Sequence, residues 1–112
     1  MKFSYQVEKF SSARSSLMLP HPEGEAKSLC DAFRECSLGL HNFDESLIQD
    51  DNALNNIRKI KESMNFSGLN DQEEKGLWRI KAESLSEEEK YDLSTAVDEL
   101  ASYFSYICWS QQ

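Results

Sequence analysis

The stretch 86–109, SEEEKYDLSTAVDELASYFSYICW, decides the fold. Its apolar residues Leu93, Val97, Leu100, Phe104 and Ile107 recur at alternating steps of four and three, which lays one continuous stripe along an α-helix. Ala96, Ala101, Tyr103 and Cys108 widen the stripe, while Ser94, Asp98, Glu99, Ser102 and Ser105 fall mostly on the other face. The start is also written locally. Ser86 and Glu89 have the spacing of a capping box, and Glu87, Glu88 and Glu89 suit the positive end of the helix dipole. A helix of this length reaches about 36 Å, enough to span a small domain and touch every other helix in it. Tyr106 and Trp109, near its end, read either as core or as a contact for self-association.

Working backwards from this helix, Asn70 and Glu73 repeat the capping-box spacing ahead of Leu77, Trp78 and Ile80, a thinner apolar face that Gly76 weakens. Asn65 to Leu69, with Ser67 and Gly68, reads as a turn. Ala53, Leu54, Ile57, Ile60 and Met64 form the face of a helix starting at Asp50 to Asn52. Phe43, Leu47 and Ile48 allow one or two turns after a cap at Asn42 or Asp44. Ala26, Leu29, Cys30, Phe33, Cys36, Ser37 and Leu40 define another amphipathic helix, with Pro22 suited to its first position and Gly39 to its end. The N-terminal segment has two readings. Phe3, Tyr5 and Val7 alternate as in a strand, whereas Phe3, Val7, Phe10 and Leu17 follow helical spacing. The helix is favoured, because no second strand is available to pair with the first. The expectation is an all-α, single-domain bundle over residues 1–112, with about five helices and a long C-terminal one.

The formal net charge is −8, with a pI near 4.7. Residues 23–51 carry eight acids against two bases, and residues 71–99 ten against four. Such a chain is repelled by nucleic-acid phosphates and by anionic membranes, and it attracts basic proteins. The expected partner is therefore a basic protein, with neither nucleic acid nor membrane. Three cysteines, Cys30, Cys36 and Cys108, do not form a disulfide framework. Without an apolar leader or a membrane span, the expectation is a reduced, cytoplasmic protein.

Motifs for chemistry are sparse. Cys30 and Cys36, six apart on one helix, diverge by about 120° and cannot chelate together, and no C-x-x-C or H-x-x-x-H pair accompanies them. Neither a nucleophile elbow nor a phosphate-binding glycine loop is present. The expectation is no cofactor, no metal and no catalytic residue. One pattern stands apart. Arg34 and His41, with six residues between them, resemble the R-x(4–6)-H motif of the HEPN ribonucleases, small all-α proteins that act as dimers. That resemblance implies RNA cleavage by Arg34 and His41, although Glu35 stands where the family has Asn, Asp or His.

Partner binding fits the composition better. Asp44, Glu45, Asp50 and Asp51 form the densest acidic stretch away from a clear helix start, and Glu73 and Glu74 lie one turn before Trp78. Acids speed encounter with a basic partner, and tryptophan is a favoured anchor. In size, acidity and the absence of catalytic motifs, the chain resembles bacterial toxin-immunity proteins, including those of contact-dependent inhibition systems. The resemblance is to the class as a whole. It implies a non-catalytic inhibitor that covers the active or substrate-binding site of a basic nuclease toxin. A small helical adaptor is the other binding-protein reading.

Overall fold

The computed structural model describes residues 2–70 and 76–110. Among them are five α-helices and one short 3-10 turn, with no strand: α1 (Ser4–Leu17), α2 (Glu25–Leu40), the 3-10 turn Glu45–Leu47, α3 (Asp51–Met64), α4 (Leu77–Ser84) and α5 (Glu87–Ser110). The all-α bundle with a long final helix is thus the observed architecture.

The first segment is helical. Phe3 precedes α1 in a left-handed conformation (φ 65°), its carbonyl accepting from the Val7 amide at 2.9 Å and its ring buried. Phe10 and Ala13 face the core. Arg14, which interrupts the apolar spacing, lies 3.6 Å from Asp98 of α5, so its charge meets a partner at the helix flank.

The start of α2 differs from the expectation. The helix begins at Glu25 rather than Pro22, because a turn closed by the Gly24 amide on the His21 carbonyl (3.0 Å) intervenes. Gly24, at φ 95°, supplies the backbone freedom for that turn. Gly39 likewise does not end α2, which continues to Leu40. It is buried, and a Cβ there would lie 2.8 Å from Phe10 Cε2. The glycine lets α1 and α2 approach closely.

Asp50 Oδ1 accepts from the Ala53 amide at 3.0 Å and caps α3. After α3, Asn65 Oδ1 accepts from the Ser67 amide in the expected turn. Gly76 stands before α4 as its N-cap and accepts from the Ile80 amide, so it does not weaken a helix interior. The Asn70–Glu73 box lies partly outside the described residues. The capping box of α5 forms as its spacing predicts: Ser86 Oγ accepts from the Glu89 amide (3.1 Å), and the Ser86 amide donates to Glu89 Oε1 (2.9 Å).

α5 packs mainly against α1 and α3, and α4 against α2, so the long helix does not meet every other helix equally. The core is built from Phe10, Phe33, Phe104, Ile57, Ile60, Leu93, Val97 and Leu100, all fully buried. Phe104 lies at its aromatic centre, with ring centroids 5.1 Å from Phe3, 5.4 Å from Phe10 and 5.7 Å from Phe43. Phe43 thereby pins the link between α2 and α3 to α5. Tyr103 packs edge-on against the Phe104 ring, with centroids 5.7 Å apart.

Candidate functional site

The acidic segment begins where α2 stops. Asn42, at φ 54°, turns the chain, Phe43 enters the aromatic cluster, and of residues 44–50 only Ile48 is buried. Asp44 Oδ1 accepts from the Ser46 amide (3.0 Å) and hydroxyl (2.6 Å), capping the 3-10 turn. These bonds, the hydroxyl first, hold its carboxyl below the ordinary value. Glu45 pairs with Lys61 Nζ at 2.8 Å, while Asp50 caps α3 and Asp51 occupies its first turn. All four acids are exposed, yet three serve the local backbone or the helix dipole and the fourth is paired.

The four do not share one surface. Glu45 and Asp51 line an open groove of about 1120 Å³ between the end of α2 and α3, with Leu40, Leu54 and Met64 as its apolar residues. Its charges are nearly balanced: Arg58, which hydrogen-bonds to Asn55, and Lys61 face Glu45, Asp51 and Glu62. Asp50 lies on the other side of α3, beside Tyr103 and Tyr106 of α5. Trp78 is half-buried on α4 and packed against the core, and it does not line the groove of Glu45 and Asp51. Glu73 and Glu74 lie outside the described residues.

Arg34 and His41 are also separated in their contacts. Arg34 Nη2 donates to Asp31 Oδ1 at 2.6 Å, one turn back along α2. His41 follows the last turn, 3.3 Å from Asn42 Nδ2, in the groove whose arginine is Arg58. The three cysteines are free, and no cluster of three or more metal-ligating side chains is gathered among the described residues. Burial pushes the Cys36 thiol up to about 12. None of the described helices is long and apolar enough to cross a membrane.

The spacing reads Tyr106 and Trp109 either as core or as a contact for self-association; both are exposed rather than core, and they belong to an outer face of α5 that sequence reasoning did not assign to a partner. Tyr91, Asp98, Ser102 and Trp109 follow one line along the helix, with Tyr106 beside it. Tyr91 and Tyr106 are each 71% exposed and Trp109 65%. The signal was present, because these residues fall off the apolar stripe and are interleaved with Asp98 and Ser102. The flanks of this face are held by ion and hydrogen bonding: Asp98 to Arg14 of α1, and Glu99 to Asn52 (3.2 Å) and Asn56 (2.9 Å) of α3. Those two amides, Asn56 first, hold the Glu99 carboxyl below its ordinary value.

Comparison with protein-family models, curated proteins and solved structures gives no match.

Proposed function

We propose that this protein is a non-catalytic inhibitor that captures a basic protein in the cytoplasm, in the manner of a bacterial toxin-immunity protein. The observation that carries the reading is the outer face of α5, where exposed Tyr91, Tyr106 and Trp109 stand among carboxylates on a chain of net charge −8. Large aromatics anchor interfaces, and surrounding acids steer a basic partner and fix its register. Both are displayed on the longest helix, a rigid element seated in the core. A nuclease toxin must present cations to nucleic-acid phosphates. An acidic face occupying those cations competes directly with the substrate.

The test is co-expression with the basic toxic domain encoded beside this protein in its genome. Restored growth is the expected outcome. Unabated toxicity with this protein folded and abundant, or a neighbourhood encoding no basic toxic domain, overturns the proposal.

A further inference from the structure

We propose that this protein pairs with a second copy of itself through α3, the two helices meeting antiparallel about a two-fold axis beside Leu54, with Asp51 of each copy against Arg58 of the other. The pairing is independent of the immunity reading, because no residue of α5 lines the groove that it closes.

The helix face sets the geometry. Asp51, Leu54, Asn55, Arg58, Lys61 and Glu62 of α3 all line the open groove of about 1120 Å³. Asp51 and Arg58 are seven positions apart, so they stand two turns and about 10 Å from each other, nearly in line along the helix. Leu54 and Asn55 occupy the turn between them. Leu40, Leu54 and Met64, each half-buried against the core, give the groove its apolar surface.

The charges of the groove name the occupant. Lys61 is answered within the chain by Glu45, at 2.8 Å. Among the described residues, Asp51 has no ion pair, and Arg58 has only the side-chain oxygen of Asn55. One unpaired charge of each sign, at the two ends of a short helical span, is what an isologous contact requires. A two-fold axis between positions 54 and 55 carries 51 onto 58 and 58 onto 51. Both charges then gain a partner in each copy, and Leu54 meets its own counterpart beside the axis. Glu62 falls one turn beyond Arg58, outside the paired span. A chain of net charge −8 repels its copy at long range. In this groove, however, two cations offset two of three acids, and charges more than about 8 Å away are largely screened at physiological salt. The depression beside Asp98 and Glu99 offers no such balance, since three acids and no cation line it. One helix face buries less than the roughly 800 Å² per partner of a standard interface, so the dimer is reversible.

The experiment is sedimentation equilibrium of the whole protein from micromolar to millimolar concentration, which should show reversible exchange between monomer and dimer. Asp51→Arg and Arg58→Glu each turn two attractive pairs into two repulsive ones and should weaken association about tenfold. Arg58→Gln only removes the attraction and should weaken it about threefold. Mixing the two reversed variants, or combining both changes in one chain, again sets opposite charges across the axis and should restore association. Concentration-dependent amide shifts should centre on Leu54, Asn55 and Arg58. A protein that stays monomeric at millimolar concentration overturns the proposal. So do reversed variants that associate like the parent, a folded mixture of the two that fails to associate, or shifts confined to Tyr106 and Trp109. If a reversed variant does not fold, Arg58→Gln decides, and its unchanged association overturns the pairing.

Discussion

Asn56, buried in α3, donates its side-chain amide to Glu99 Oε2 of α5 at 2.9 Å. The bond joins a polar side chain that is 3% exposed to a carboxylate at the surface. It fixes the position of one of the acids beside Tyr106. Asn56→Ala removes the larger cause of the depressed Glu99 pKa and leaves Asn52 as the remaining donor. The Glu99 carboxyl should then titrate higher, closer to an ordinary glutamate, in an NMR titration of the variant. An unchanged Glu99 pKa would show that the bond carries no weight in solution.

Stability should fall on acidification. Asp44, Glu89 and Glu99 are all held below their ordinary values by hydrogen bonds, to Ser46, Ser86 and the Asn56–Asn52 pair respectively. At acid pH the unfolded chain therefore binds more protons at these sites than the folded one. Their contribution is complete above the ordinary carboxylate range, about pH 4–5, and is lost as pH falls through the depressed folded values. Lys90 shows the opposite sign. Its pKa is raised by Glu25 and then Glu87, so its contribution holds below the ordinary lysine range and is lost as pH rises through the folded value. Urea midpoints measured across pH should form a plateau between these two limits, and a midpoint that rises on acidification below pH 4 would contradict the assignment.

Gly39→Ala should destabilise, although alanine is the better helix former by about 1 kcal/mol. The new Cβ would lie 2.8 Å from Phe10 Cε2 and 3.2 Å from Lys9 Cβ, and Phe10 is fully buried. Overpacking of this kind costs about 1–3 kcal/mol. Chemical denaturation checks the sign, and a stabilised variant would mean that α1 and α2 are less closely packed than described.

Phe104→Ala should cost about 3–5 kcal/mol, since it empties the point at which Phe3, Phe10 and Phe43 meet. That is a large share of the roughly 5–15 kcal/mol typical of such proteins. Tyr106→Ala, two residues further along the same helix but exposed, should stay within about 0.5 kcal/mol of the parent. Urea unfolding of both variants tests the contrast between the inner and outer faces of α5.

What the sequence disclosed was local. The Ser86–Glu89 capping box and the Asp44 and Asp50 caps each involve residues two or three positions apart, so spacing alone reveals them. Gly39 was misread because a glycine near the end of an apolar run signals a helix stop, and only the proximity of Phe10 shows its other use. The pairing of Glu45 with Lys61 spans sixteen residues, and that of Asn56 with Glu99 spans forty-three, beyond any helical period. The acidic stretch 44–51 looked continuous because its residues are adjacent in the chain. Its turn and helix start send Glu45 and Asp51 to one side of α3 and Asp50 to the other.

The aromatic cluster also sets an order of events. Phe3 and Phe104 are 101 residues apart in the chain, yet their rings meet at 5.1 Å. α1 and α2 can associate as soon as both have left the ribosome, because their contacts are close in sequence. The ring that Phe3, Phe10 and Phe43 all meet is missing until residue 104 has also emerged. The core therefore closes only once α5 has emerged, and a nascent chain halted inside α5 exposes an unfilled aromatic face to whatever chaperone is nearby.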